Sequence, residues 1–355
     1  MTTRPSHGAY DDNPRLYDAV LYVSFGGPEG PDEVMPFLER VTGGRGVPRA
    51  RLEEVAQHYH LFGGVSPINA QNRAVIEALE EGIDLPIYWG NRNSAPLLTD
   101  TVQRMADDGI TRAICFVASA YSSYSGCRQY REDIAAAQSA VGPGAPKIDK
   151  LRVFFNHPGF IEPQTEKVKV ALAAIPEERR AGVHLVFTAH SVPRAMAETS
   201  SYVDQLLESS RLVSAATGDH PWALVYQSRS GPLEVPWLEP DVVAHLEKLS
   251  AEGVTDVIVV PIGFVSDHLE VRYDLDVEAA ATAARLGLNM VRAEAVGAHP
   301  AYVRMIVDLI AERFGTGPSR AALGKFPASH DICARDCCPA PVRPGAQPKP
   351  AAAEL

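Results

Sequence analysis

Two groups of residues in this 355-residue chain have types and spacings that point directly to chemistry. Phe187-Thr188-Ala189 runs straight into His190, and Ser191-Val192-Pro193 then breaks the strand. That places an imidazole at the carboxyl end of a buried strand, where open α/β sheets hold their ligands. Further on, Val259-Val260-Pro261-Ile262-Gly263-Phe264 leads in the same way into Asp267, His268 and Glu270. Strand tips carrying imidazole and carboxylate suit proton transfer or metal handling. Glu270, Asp274 and Glu278 follow one another at steps of four. Four residues turn an α-helix through about 400°, so each carboxylate lies about 40° from the last on one face, and a π-bulge would align them better. Three anionic oxygen donors in a row make a track for a hydrated divalent cation. A solvated helix face is the competing reading of the same spacing.

Smaller signals surround these. Ser24-Phe25-Gly26-Gly27-Pro28 and Gly63-Gly64-Val65-Ser66-Pro67 are glycine-rich turns that let a flat ligand approach the backbone. Neither contains Gly-x-Gly-x-x-Gly or the phosphate-binding lysine, so nucleotide binding is not expected. Arg45 and Arg92 lie on loops and are suited to pairing with ligand carboxylates. Tyr121, Ser122 and Tyr124 belong to a hydroxyl cluster that either binds carboxylates or forms an ordinary polar loop. Of the five cysteines, Cys115 stands in an apolar strand and reads as a small hydrophobe. The other four are Cys127, Cys333, Cys337 and Cys338. In a reducing cytosol such a set reads as a metal site more readily than as disulfides. A [2Fe-2S] cluster takes four thiolates, and the adjacent Cys337-Cys338 pair departs from the spacing of structural zinc sites.

The elements that must position these residues form an alternating pattern. Near-continuous apolar runs at 18–25, 85–90, 112–118, 151–156, 183–188, 222–227, 256–262 and 289–295 read as parallel strands covered on both faces. Segments of helical period separate them, such as Val34, Phe37, Leu38 and Val41. The expectation is α/β: two similar doubly wound, Rossmann-like domains, each with a four-stranded parallel sheet, and a central cleft between them. The first spans 16–145 and the second, carrying His190 and Glu270, spans 146–298. The helix 299–315 follows, then a cysteine-containing segment 316–338. Residues 1–15 and 339–355 read as disordered. The first 15 residues have no apolar core, no run is long enough to span a bilayer, and the expected location is the cytoplasm. A net charge of -11 argues against a nucleic-acid partner.

Thr188–Pro193 and Gly263–Asp274, together with Ser24–Pro28, Gly63–Pro67 and Pro236-Trp237-Leu238, resemble in order and spacing the signature segments of ferrochelatases. The resemblance covers roughly residues 16 to 315. It implies insertion of Fe²⁺, the metal substrate, into a porphyrin with release of two protons. It implies His190 and Glu270 as catalytic residues that meet the metal, Asp274 and Glu278 in metal delivery, and Asp267 and His268 orienting the pair. Phe25, Ser66, Arg45, Arg92, Tyr121, Ser122, Tyr124 and Trp237 are the implied porphyrin contacts. Some members carry tyrosine where this chain has Phe25, which can pack on the macrocycle but cannot ligate metal. Several members hold a [2Fe-2S] cluster through one internal and three C-terminal cysteines, which implies Cys127, Cys333, Cys337 and Cys338. The likeness to actinobacterial members implies coproporphyrin III as substrate, with protoporphyrin IX as the alternative. Transient contact with neighbouring enzymes of the haem pathway would follow. A cobalt or nickel chelatase for a sirohydrochlorin-type ring remains open, as does a non-catalytic haem carrier or iron-sulfur sensor.

Overall fold

In the computed structural model, which describes residues 17–43, 46–231, 234–317 and 319–341, eight strands form two parallel sheets. The first contains β1 (Ala19–Ser24), β2 (Ile87–Asn91), β3 (Arg112–Val117) and β4 (Lys147–Lys150) in the order β2-β1-β3-β4. The second contains β5 (His184–His190), β6 (Trp222–Gln227), β7 (Asp256–Val260) and β8 (Asn289–Arg292) in the order β6-β5-β7-β8. The two halves thus repeat one topology, as the alternating pattern requires. In each half the strand order reverses beside the central strand, β1 or β5, and that is where crevices open at the carboxyl ends. β1 and β7 are buried at every position, which explains their unbroken apolar character.

One expected strand lies elsewhere. The apolar run 151–156 forms no strand; the fourth strand is the polar Lys147–Lys150, paired with β3 from Arg112↔Lys147 to Cys115↔Lys150. β4 is an edge strand and needs no apolar alternation. The run after it is a buried crossing between the sheets, with Leu151, Val153, Phe154 and Phe155 all in the core. A buried crossing and a buried strand have the same composition. The glycine- and proline-rich stretch 142–146, expected as the boundary between domains, therefore precedes the last strand of the first sheet.

The crossing helps to lock the sheets together. Phe154 stacks on Phe116 of β3 at 5.3 Å and meets Phe160 edge-on at 5.6 Å. Tyr22, Phe116, Leu185, Phe187, Phe160 and Tyr302 belong to one core cluster that both sheets share. The helix Pro300–Arg313 packs on the helix Pro158–Ala173 and on the helix Pro67–Glu80. Arg152, with no exposed side-chain surface, forms a forked pair with Glu312 at 2.8 and 2.9 Å and also donates to Ala321 O. A buried pair of this kind holds only when its remaining donors are satisfied. No helix among the described residues is long and apolar enough to cross a membrane. The terminal segments 1–15 and 342–355 lie outside the described residues.

Candidate active site

His190 is the last residue of β5, and its backbone is held from three sides. It pairs with Gln227 in the β6 register, its carbonyl accepts from Tyr202 OH at 3.0 Å, and Ser191 N–H donates to Gln227 O at 2.8 Å. Its Nδ1 lies 2.5 Å from Ser191 O. A carbonyl can only accept, so Nδ1 carries a proton and Nε2 is the atom that gains or loses one. Nε2 faces Glu270 Oε1 at 3.7 Å, and the two side chains keep 35% and 38% of their surface open. Burial disfavours the imidazolium, but the charge of the Glu270 carboxylate outweighs it and leaves His190 above its ordinary pKa. Burial likewise disfavours the Glu270 carboxylate, but His190, and then His268, bring it below the usual range. The two shifts agree: each group supports the charged form of the other.

Glu270 reaches this position because the chain after β7 crosses the tip of β5 closely. Gly263 N–H donates to Thr188 O at 3.0 Å, and a Cβ at Gly263 would stand 2.7 Å from that of Ala189. Only glycine fits there. Glu270 then lies in the helix Leu269–Arg272, which continues as a π-helix over Tyr273–Ala279 and as an α-helix over Ala280–Leu286. The π-winding falls on the row of carboxylates, where such turns mark functional sites. Asp274 comes next and accepts from Gln227 Nε2 at 3.2 Å and from Ser228 Oγ. Ser228 adopts a φ of +61° just past β6, a left-handed conformation that a non-glycine residue rarely holds. Burial first, then the charges of Glu270 and Glu278, push Asp274 up to about 7. Glu278 is exposed, so the row runs from the paired His190 and Glu270 out to solvent.

Asp267 and His268 lie just before Glu270 in the chain, and of the two His268 acts on Glu270 through its charge. Asp267 forms an ion pair with Arg292 at 3.0 Å, and Arg292 also holds Asp276 at 2.5 Å. His268 meets Phe264 edge-on at 5.2 Å and is kept below its ordinary pKa, chiefly by burial.

The first half supplies the facing wall. α1 (Val34–Val41) and α2 (Arg49–His60) pack together through Phe37 and Tyr59, whose ring centroids are 5.8 Å apart. Phe25 meets Phe37 edge-on at 6.1 Å and keeps part of its surface open. Tyr59 was not anticipated from sequence. Its phenol is raised by burial and then by the charges of Glu270 and Asp274, so it faces the acidic row. His58 was missed too; it stacks on Tyr273 at 3.7 Å and 6°, bridging the two halves. A signal was available in the polar, aromatic end of α2, directly before Gly63-Gly64-Val65-Ser66-Pro67.

Several of the expected porphyrin contacts are placed elsewhere. Tyr121 is buried in the core with its OH on Ile262 O at 2.9 Å. Trp237 is buried against Gly231, its indole N–H without a protein partner. Arg92 pairs with Asp133 at 2.5 Å and lies over the rings of Phe25 and Tyr130 at 5.6 and 4.6 Å, so its charge supports Phe25 from beneath. Ser122 is bound through both N–H and Oγ to Gln205, and Tyr124 OH donates to Glu132 at 3.0 Å. Ser66 is buried where the two glycine turns meet, its N–H on Pro28 O at 2.8 Å. Tyr121, Arg92, Ser122 and Tyr124 thus have partners for their polar groups inside the protein. Arg45 lies outside the described residues.

The four cysteines named as a set converge. Cys127 is buried in a π-turn, Tyr124–Arg128, with Cys333 as a neighbour. Cys333 and Cys337 place their Sγ atoms within 4.8 Å of each other, and Cys337 Sγ is 3.7 Å from that of Cys338. The Arg128 guanidinium donates to the carbonyls of Arg335 and Cys337 at 2.8 and 3.0 Å, fixing the tail against this turn. Cys115 stands apart in β3, and burial pushes its thiol up to about 12. Four convergent thiols from a buried turn and an otherwise polar tail fit a thiolate-ligated metal group. His330 joins them, which the sequence reading did not foresee.

Twin parallel sheets, with His190 facing Glu270 at the strand tips and an acidic row leading outward, make up the architecture that the chain shares with chelatases. SirB from Bacillus subtilis, solved with Fe³⁺, shares this fold at a TM-score of 0.51 and 12% identity, over 84% of this chain and 97% of that one. The sirohydrochlorin chelatase SirB in complex with cobalt matches at 0.50 and 12% identity, over 84% and 95%. The ferrochelatase family model matches residues 17–314, and the chain belongs to that family. The coproporphyrin III ferrochelatase of Streptomyces griseus is 53% identical over 96% of this chain and 97% of its own length. The ferrochelatase of Rhodopirellula baltica is 52% identical over 91% and 93%.

Proposed function

We propose that the protein inserts ferrous iron into coproporphyrin III. Two pyrrole N–H bonds break, two protons leave, and Fe²⁺ takes their place, so the ring's charge is unchanged. The observation that carries this is the His190–Glu270 pair, with Nδ1 committed to Ser191 O and Nε2 open to the cleft. Nε2 accepts the first pyrrole proton, Glu270 stabilises the imidazolium, and that proton passes to solvent before Nε2 accepts the second. Glu278 and Asp274 draw iron in from solvent, and Phe25 packs on the macrocycle from the facing wall. Coproporphyrin III as the ring is supported by the relatives bearing that activity in their names, at 53% identity over nearly the whole chain. The proposed [2Fe-2S] group is held by Cys127, Cys333, Cys337 and Cys338. Bound there, it would supply a covalent tie between tail and body, because insertion itself transfers no electrons.

The test is anaerobic turnover followed by porphyrin absorbance, with coproporphyrin III and protoporphyrin IX in parallel. The expectation is a much higher kcat/KM for coproporphyrin III, and loss of insertion with retained porphyrin binding in His190→Ala. Preference for protoporphyrin IX would reverse the substrate assignment, and undiminished turnover in the variant would remove His190 from the chemistry.

A further inference from the structure

The thiol site at the tail contains one more donor than a four-ligand group needs. His330, Cys333 and Cys337 place their ligand atoms all within 4.8 Å of one another. A tetrahedral zinc ion, about 2.3 Å from sulfur, holds its ligands about 3.8 Å apart, so little movement is required. Cys127, buried in the turn beside these residues, is the nearby thiol that would complete a Cys₃His set by moving toward them. The spacing His330-x-x-Cys333-x-x-x-Cys337 falls within the range of structural zinc sites, where the Cys337-Cys338 pair does not. Cys338 adopts a left-handed φ of +50° and contributes to a different set, the four thiols.

We propose that this corner of the protein binds a single Zn²⁺ through His330, Cys333, Cys337 and Cys127, as an alternative to the iron-sulfur group. Three donors are common to both sets. Cys338 belongs to the cluster alone and His330 to zinc alone. Zinc would close the same tie between the tail and the turn at Tyr124–Arg128, and a closed metal site stabilises only the fold that presents all its ligands. The zinc set stands whether or not the cluster assembles.

The experiment exchanges the two residues that differ. Full-length chain is stripped of metal anaerobically and titrated with Zn²⁺, and separately with Co²⁺, whose thiolate charge-transfer absorption requires sulfur ligands. That absorption separates this site from divalent ions held at His190 and Glu270. Wild type and Cys338→Ser are expected to take about one equivalent with the thiolate signature. His330→Ala and Cys127→Ser are expected to lose it, with affinity reduced on the order of a hundredfold. In parallel iron-sulfur reconstitution, His330→Ala is expected to keep the visible absorption, and Cys338→Ser and Cys127→Ser to lose it. His330 is exposed, so its removal leaves the packing intact. A cobalt-thiolate spectrum unchanged by His330→Ala would overturn the site, as would its loss in Cys338→Ser. If wild type assembles no cluster while the zinc arms behave as described, the iron-sulfur reading fails and the zinc site stands.

Discussion

Replacing Glu270 with Gln removes one charge from beside His190 and keeps the shape. At a separation of 3.7 Å the carboxylate is worth about 1 kcal/mol to the imidazolium in bulk water and about 4 kcal/mol at an effective permittivity of about 20. One pKa unit corresponds to about 1.4 kcal/mol, so these limits span ~1 to ~3 units. Both side chains remain more than one third open, and solvent screening sets the effect near the lower limit, at about one unit. The sign follows from the causes of the shift. Glu270 is the largest influence raising the pKa of His190 against burial, so in the Gln variant only Ser191 O and Asp274 oppose burial and the pKa falls. His190 must be neutral to accept a proton. Its acid limb in kcat/KM, which reports the free enzyme, should therefore move about one unit to lower pH. Insertion of Zn²⁺ into the porphyrin, read by absorbance from pH 5 to 9, gives the profile without iron oxidation. Should turnover be too weak to measure, the imidazole Cε1 resonance of His190 gives the same pKa by titration. An acid limb that stays in place or moves upward would refute the pairing.

Asp274, raised to about 7, is neutral below that pH and ionised above it. Asp274→Asn should raise the KM for Fe²⁺ several-fold at pH 8 and have little effect at pH 6, as initial rates at limiting iron will show. Arg92→Ala strips Asp133 of its pairing cation and leaves a buried carboxylate, at a cost of ~2 kcal/mol. A lowered denaturation midpoint with unchanged porphyrin KM would place Arg92 beneath Phe25, whereas a raised KM with unchanged stability would restore it as a propionate contact. Cys127→Ser should abolish the visible absorption of the iron-sulfur form and increase proteolysis of the tail. Cys115→Ser should keep the absorption while lowering stability by about 1–3 kcal/mol, because it buries a hydroxyl inside β3.

What the sequence disclosed and what it concealed follow from burial. His190 and Glu270 were legible because a strand tip is an abrupt change from apolar to polar, and abrupt changes survive without an alignment. The helix carrying Glu270, Asp274 and Glu278 was legible from its spacing, and its π-turn sharpened the alignment. Tyr121 and Arg92 carry one lesson: a hydroxyl or guanidinium in a loop looks available until its partners, here Ile262 O and Asp133, arrive from distant sequence. Tyr59 and His58 were missed because an aromatic at a helix end looks like ordinary packing. Only the fold sets them against Glu270, Asp274 and Tyr273. The segment 151–156 was misread because a chain buried on all sides carries no period.

The distance between His190 and Glu270 is a property of the sheets more than of either residue. β5 and β7 pair directly from His184↔Val257 to Phe187↔Val260. Beyond the last pair the two chains diverge, β5 ending at His190 and β7 continuing through Pro261 to Gly263. The hydrogen bond from Gly263 to Thr188 O returns the second chain to the first. It can do so only because nothing projects from Gly263 toward Ala189, whose Cα would lie 2.8 Å from an added Cβ. Ala189 is fixed in turn by its register with Tyr226, and His190 by Gln227. Gln227 also donates to Asp274, so one residue of β6 touches the base of the site and the next carboxylate of the row. Proton acceptor, partner carboxylate and the inner end of the acidic row are thus held by three adjacent strands.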